Sequence, residues 1–182
     1  YEQKPAWGAM AYNGRLRVTD QVTEYEVRRI HGKELIDKVS LDLPPHIFET
    51  EGLWFKIPQE IYHAAESENH DFMGGIHAFE HAAIGIFPLL VMADRNDLGG
   101  LSTPYHPQLN GAAVFIYDGV AGGIGLNREA YKLADKLLSH TLSVIRGCTC
   151  KSGCPSCVHS PKCGSANQPI DKPAAIFILD EL

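Results

Sequence analysis

Five cysteines lie within sixteen residues, and their type and spacing indicate a metal site. They follow the pattern C-x-C-x3-C-x2-C-x5-C over Cys148, Cys150, Cys154, Cys157 and Cys163. A structural zinc ion takes four thiolates at about 2.3 Å in a tetrahedral arrangement. Alternate residues of an extended segment face the same side, so the C-x-C pair can point at one ion. The pattern therefore predicts a four-cysteine zinc knuckle.

The identity of the fourth thiolate stays open, because the segment holds one cysteine more than zinc needs. Cys150, Cys154 and Cys157 are common to both possible ligand sets. The fourth ligand is then Cys148 or Cys163. The short C-x-C spacing favours Cys148, since it requires less ordered loop.

Two other uses of clustered cysteines compete with zinc. Disulfides suit secreted chains, but the odd count and the lack of an apolar signal segment favour a reducing compartment, and we expect a cytoplasmic protein. A redox C-x-x-C motif is expected between a strand and a helix rather than inside a five-thiol loop. Structural Zn²⁺ remains the favoured interpretation.

A second motif, His77-Ala-Phe-Glu80-His81, matches the inverted zincin pattern H-x-x-E-H. In such a site two histidines on one helical face hold zinc, and the glutamate acts as a base. A zinc metallopeptidase would also need a third ligand and an open coordination position, and the downstream acids lie in turns or on a basic helix. The alternative is that His77 and His81 pack and form hydrogen bonds inside the fold.

A glycine-rich loop, Asp118 to Gly125, joins a predicted strand to a predicted helix. Its spacing fits neither a dinucleotide fingerprint nor a Walker loop, and no other segment of the chain resembles a Walker loop. A structural turn is favoured over a phosphate cradle, because glycine permits positive φ and close packing of a helix on a strand. This chain alone is not expected to hydrolyse ATP.

Charge is unevenly distributed along the 182 residues, whose formal net charge is -6. Residues 128–172 hold seven basic residues against three acids. Part of this excess would offset a zinc tetrathiolate, and the rest favours contact with nucleic-acid phosphates. The candidate DNA-binding residues are Arg128, Lys132, Lys136, Arg146, Lys151 and Lys162, with Lys172 as a further basic residue of the same segment.

The pattern of apolar residues predicts an α+β protein with a small antiparallel β portion, residues 1–62, followed by an α/β portion, residues 63–182. Turns are predicted at Asn13-Gly14 and at His31-Gly32. Strands are predicted around Leu16–Val22, Tyr25–Ile30, Gly52–Ile57, Leu89–Ala93 and Ala112–Tyr117. Helices are predicted over Gly75–Pro88 and over Pro173–Leu182. A third, long amphipathic helix is predicted from an Asn127 cap to Arg146, and it leads into the knuckle.

The longest apolar stretch, Ala82 to Ala93, is too short to cross a bilayer, and no membrane contact is expected. The chain begins at Tyr1 without an initiator methionine. We therefore expect it to be part of a longer polypeptide.

Four blocks in one order carry a resemblance to a known family. They begin at His77-Ala-Phe-Glu80-His81, at Ala93-Asp94-Arg95, at Ile116-Tyr117-Asp118-Gly119 and at Cys148-x-Cys150, and they end with Asn167 and Asp171-Lys172. Together they resemble the MrfA-like zinc-binding domain of superfamily-two DNA helicases. In that family the domain lies at the C-terminus, behind two RecA-like motor domains.

The resemblance implies an accessory domain of an ATP-dependent 3′–5′ DNA helicase that acts in DNA repair. Residues 63–182 would be the zinc-binding domain, and residues 1–62 would link to or pack on the motor domains. ATP and Mg²⁺ would bind only in those motor domains, so no residue of this chain is expected to be catalytic. The expected partners are single-stranded or forked DNA and the motor domains. A zinc-dependent protein-interaction module without DNA contact remains an alternative.

Overall fold

A computed structural model describes residues 1–182 as one five-stranded antiparallel sheet with helices on one face and a separate hairpin. The strands are β1 (Glu2–Ala6), β2 (Ala9–Asp20), β3 (Glu24–Arg28), β4 (Leu35–Ser40), β5 (His46–Lys56), β6 (Leu98–His106) and β7 (Gly111–Asp118). The helices are α1 (Gln59–Ser67), α2 (Phe72–Leu90), α3 (Leu126–Lys132), α4 (Ala134–Gly147) and α5 (Lys172–Glu181), with a 3-10 turn at Arg95–Asp97. The α+β class predicted from the sequence is confirmed.

The main sheet has the order β1-β2-β5-β7-β6, and each neighbouring pair is antiparallel. β5 belongs to the predicted N-terminal portion, yet it pairs with β7 from the second portion at the centre of the sheet. Residues on both sides of position 62 therefore contribute to one hydrophobic core. The division at residue 62 remains a prediction about which part faces other domains.

Several local predictions differ from the structure. Asn13-Gly14 is not a turn: it lies within β2, where the Asn13 side-chain amide donates to the carbonyl oxygen of Gly52. The turn at His31-Gly32 is present between β3 and β4. The strand predicted over Leu89–Ala93 is wrong, because α2 continues to Leu90. Short apolar runs do not distinguish a strand from the end of a buried helix.

The long helix predicted from Asn127 to Arg146 is two helices, since the backbone leaves helical geometry at Leu133. Asn127 does not cap the first of them. It is fully buried in the first turn of α3, and its amide group donates to Asp118. The final helix is confirmed, and Asp171 caps it by accepting a hydrogen bond from the backbone N–H of Ala174.

Helix α2 organises the site, because it is apolar on nearly all faces and lies between the sheet and helices α4 and α5. Asp71 caps its start through the backbone N–H of Gly74. The core around it continues into the knuckle, where Cys157 and Val158 are buried with the core side chains. No helix of the chain is both long enough and apolar enough to traverse a bilayer.

Candidate metal centre

The four-cysteine knuckle begins where α4 ends. Cys148 occupies the C-cap with extended backbone, so that Cys148 and Cys150 leave the helix as a short extended segment. The chain then reverses at Gly153, whose φ of 112° is a conformation that suits glycine. The carbonyl oxygen of Cys154 next accepts hydrogen bonds from the backbone N–H groups of residues 157, 158 and 159. This turn brings the second cysteine pair back towards the first.

The sulfur atoms of Cys148, Cys150, Cys154 and Cys157 converge on one point. Neighbouring Sγ atoms are 3.4–3.7 Å apart. Four thiolates at about 2.3 Å from one zinc ion at tetrahedral angles would be about 3.8 Å apart, whereas a disulfide would require about 2.05 Å. The thiols therefore fit a structural zinc ion, for which these four side chains would supply a closed tetrathiolate.

The environments of the thiols differ. A hydrogen bond from the backbone N–H of Ser156 lowers the pKa of Cys154 to about 7, with further lowering from the Cys148 thiol. Burial raises the pKa of Cys157 to about 12. Cys154 therefore ionises more readily than Cys157, and a cation beside Cys157 would favour its thiolate form.

Lys172 supplies a positive charge next to the knuckle. Its Nζ donates to the carbonyl oxygen of Cys150 at 2.7 Å and to that of Cys148, and lies 3.6 Å from Cys150 Sγ. The residue is only 5% exposed. This basic residue therefore faces the thiolates and not solvent. In the sequence it stood out only as a basic residue of segment 128–172 and as part of Asp171-Lys172, which closes the last block of the resemblance.

Cys163 lies apart from the four-cysteine cluster. Its Sγ is 3.4 Å from Nε2 of His77, and it also contacts Ser165 Oγ and the backbone N–H of Asn167. The structure thus brings Cys148, and not Cys163, to the other three sulfurs. Cys163 joins the histidines of the H-x-x-E-H motif in a second group.

The three residues of the H-x-x-E-H motif on α2 are buried, and each forms its own hydrogen bond. His77 Nδ1 is 2.7 Å from the carbonyl oxygen of Pro169, and His81 Nδ1 is 2.8 Å from that of Val158. Burial lowers the pKa of His81 to about 4. Burial raises the pKa of Glu80, and a hydrogen bond of 2.7 Å donated by Ser102 Oγ offsets part of this increase. Ser102, on β6, had no sequence signal connecting it to the motif.

These residues line an open cleft with a volume of about 960 Å³. The cleft lies between α2, the start of β6 and the loop that carries Cys163. Gly100 is part of its wall, and a side chain there would meet Glu80 Oε1 at 2.6 Å. Arg95 and Lys162 add positive charge to its rim.

The glycine loop after β7 is organised by Asp118, which is completely buried. Its carboxylate accepts hydrogen bonds from the backbone N–H groups of Ile124, Gly125 and Asn127 and from the Asn127 amide. The amide groups at the start of α3 are therefore engaged by this carboxylate. The geometry is that of a structural turn.

The six candidate DNA-binding residues are all exposed, but their surroundings differ. Three of them form ion pairs inside the chain: Arg128 with Glu51, Lys132 with Glu129 and Arg146 with Asp180. Lys162 donates to the carbonyl oxygen of Arg95. Lys136 and Lys151 form no ion pair, so these two lysines offer the most available positive charge.

Comparison with known proteins gives a consistent set of relatives. A family model described as the MrfA Zn-binding domain matches residues 79–158. An uncharacterised protein of Methanocaldococcus jannaschii is 42% identical over 110 residues, which are 59% of this chain and 98% of the relative.

Two helicases are also similar to this chain. The ATP-dependent helicase HRQ1 of Saccharomyces cerevisiae is 26% identical over 157 residues, 81% of this chain and 15% of the helicase. The ATP-dependent helicase YprA of Bacillus subtilis is 29% identical over 126 residues, 69% of this chain and 16% of the helicase. The chain thus spans about one sixth of the length of these helicases.

Among solved structures, the DUF1998 helicase MrfA bound to DNA matches with a TM-score of 0.63 and 23% identity. The match covers 100% of this chain and 23% of that helicase. Another crystal structure of the same helicase matches with a TM-score of 0.59 and 21% identity, over 100% of this chain and 22% of the helicase. These likenesses establish a shared fold.

Proposed function

Because this chain belongs to the MrfA Zn-binding domain family, we propose that it is the C-terminal accessory domain of an ATP-dependent DNA helicase. The observation that carries the proposal is the similarity to HRQ1, which extends over 81% of this chain but only 15% of that helicase. A segment of this size suits an accessory domain beside motors that lie elsewhere in the polypeptide. ATP and Mg²⁺ would bind in those motor domains.

The zinc site is structural in this proposal. Zinc at the knuckle would order residues 148–158, because metal binding to flexible thiols becomes folding free energy. Val158 and Cys157 are part of the main core, so an ordered knuckle also secures the packing of α4 against α5. No residue of the chain is assigned a catalytic role.

The exposure of the β3–β4 hairpin is evidence for contact between this hairpin and another part of a longer polypeptide. None of its strand residues is buried, although it carries several large apolar side chains. Tyr25, Val27, Leu35 and Ile36 are all exposed. A separate hairpin that carries several exposed apolar side chains suits burial against a second domain. We assign the RecA-like motor domains as that partner, which agrees with the role predicted for residues 1–62.

The proposal includes a contribution to DNA binding. The related helicase MrfA has been crystallised bound to DNA. In this chain the available charges are Lys136 on α4 and Lys151 in the knuckle, with Arg128, Lys132, Arg146 and Lys162 on neighbouring surfaces. We assign single-stranded or forked DNA, 3′–5′ movement, a repair role and a cytoplasmic location as further parts of the same proposal.

The DNA contribution is tested by the salt dependence of binding. The Lys136→Glu and Lys151→Glu substitutions break no ion pair and are compared, in the intact helicase, with Arg15→Glu, an exposed residue of β2 that also forms no ion pair. Each lost phosphate contact should weaken binding to forked DNA and reduce the slope of log K against log salt by about 1. Unchanged affinity and slope in both test variants would remove DNA contact from the proposal.

The accessory-domain assignment has its own test. The gene sequence upstream of Tyr1 should encode a Walker loop, and the complete protein should hydrolyse ATP in the presence of DNA. A complete protein that lacks any motor domain would overturn the assignment.

A further inference from the structure

We propose that His77, His81 and Cys163 form a second metal site, separate from the four-cysteine knuckle, which holds Zn²⁺ with one coordination position open to the cleft. The ligand atoms of the three residues all lie within 4.8 Å of one another. Cys163 is 86 residues from His77 in sequence, so the fold itself assembles this group.

The hydrogen bonds of the two histidines fix which ring nitrogen can bind a metal. A backbone carbonyl oxygen only accepts, so Nδ1 of His77 must donate to Pro169, and Nδ1 of His81 must donate to Val158. With Nδ1 as the donor, the neutral form of each ring presents an unprotonated Nε2. A ring whose second nitrogen donates to a carbonyl is the usual arrangement for a histidine that binds a metal.

The positions of the donor atoms suit a tetrahedral ion. Zn–N distances of about 2.05 Å and a Zn–S distance of about 2.3 Å place nitrogen and sulfur about 3.5 Å apart at tetrahedral angles. The distance between His77 Nε2 and Cys163 Sγ is 3.4 Å. His77 and His81 lie one helical turn apart on α2, with ring centroids 4.3 Å apart. The same group therefore requires only small side-chain adjustments to bind an ion.

The sulfur of Cys163 is held by polar contacts from its own loop. The backbone N–H of Asn167 points at its sulfur from 3.3 Å, and Ser165 Oγ lies 3.2 Å away. The Asn167 side chain in turn holds the loop, accepting from the backbone N–H of Ser160 and donating to the carbonyl oxygen of the same residue. The loop thus fixes Cys163 in place against α2.

The fourth position would face the cleft of about 960 Å³ that these three residues line. A site with three protein ligands and one exchangeable position is the arrangement of reactive zinc sites, unlike the closed tetrathiolate. Glu80 and Ser102 line the same cleft and are joined by a hydrogen bond. The fourth ligand is therefore water or a small anion. Two imidazoles and one thiolate select Zn²⁺ over the oxygen-preferring Mg²⁺.

Metal stoichiometry tests the inference on the 182-residue chain. The native chain, loaded with Zn²⁺ and freed of loosely held metal by gel filtration, should contain two zinc ions. Cys163→Ser and His77→Gln should each contain one, while His140→Gln, which alters an exposed histidine of α4, should retain two. Circular dichroism establishes that each variant is folded.

Titration with Co²⁺ separates the two sites by their donors. Four thiolates at the knuckle and a single one at the second site predict that the second equivalent adds about one quarter of the first equivalent's charge-transfer intensity. The Cys163→Ser chain should lose only this second increment. A native chain that binds one ion overturns the inference, and so does a second ion that survives both Cys163→Ser and His77→Gln. Neither result bears on the helicase proposal, which requires only the knuckle.

Discussion

Lys172 lies beside Cys150 with its Nζ 2.7 Å from the carbonyl oxygen and 3.6 Å from the sulfur of that residue. The lysine is in the first turn of α5, and the cysteine follows α4. This contact therefore joins the knuckle to the last helix, and it places a positive charge next to thiolates whose zinc complex would carry a charge of about −2.

Replacing Lys172 with methionine should weaken zinc binding at the knuckle by about 10–100-fold, as expected for the loss of a residue that supports metal ligands. The carbonyl oxygens of Cys148 and Cys150 also lose their donor, which should lower the free energy of unfolding by about 1–3 kcal/mol. Competition against a chromophoric chelator measures the affinity. Lys136→Met, on the exposed face of α4, is the matched control and should change neither quantity.

Removing zinc from the knuckle should destabilise the whole chain and not only the loop, because Cys157 and Val158 are buried in the main core. Zinc at about 1,000 times its Kd contributes roughly 4 kcal/mol, which corresponds to roughly 8–16 °C in Tm for a chain of this size. Cys154→Ser should lower Tm by this amount in the presence of zinc. Thermal unfolding followed by circular dichroism tests this, and an unaltered Tm contradicts a structural role for the ion.

Replacing Asp118 with alanine should lower the free energy of unfolding by about 3 kcal/mol or more. The buried carboxylate accepts four hydrogen bonds, and its loss leaves the N–H groups at the start of α3 without an acceptor. Urea denaturation provides the measurement. Asp42→Ala, at an exposed position, should remain within about 0.5 kcal/mol of the native chain.

Substitutions in the β3–β4 hairpin should have little effect on the isolated chain. Tyr25→Ser and Leu35→Ser alter exposed side chains and should change the free energy of unfolding by less than about 0.5 kcal/mol. Leu53→Ala, which truncates a completely buried side chain of β5, should lower the free energy of unfolding by about 2–5 kcal/mol. Under the proposed function, the hairpin substitutions should instead weaken contact with the motor domains in the complete protein, which would be seen as faster proteolysis between the two parts.

Much of the fold was predictable where the sequence pattern is local and strong. The strand at Ala112–Tyr117 and the helix beginning near Pro173 are continuous apolar or capped segments, and both are present. The turn predicted at Asn13-Gly14 is wrong because β2 pairs with β5 without interruption from Met10 to Asp20, and this tertiary pairing overrides the turn preference of two residues. The strand predicted after Pro88 is wrong because the periodicity of a short apolar run does not distinguish a helix from a strand.

The sequence alone predicted a knuckle built on Cys150, Cys154 and Cys157, because intervals of three and two residues keep these cysteines close, but it left the fourth ligand open between Cys148 and Cys163. Only the tertiary structure decided the position of Cys163, because it lies 86 positions from His77 in sequence and no local spacing connects its loop to a distant helix. The same holds for Lys172. The basic composition of its segment suggested a phosphate contact, but the residue is buried and its Nζ lies next to the thiolates. Ligands close in sequence converge through local backbone geometry, whereas distant ones converge only when the packing of α2 against the last loop is formed.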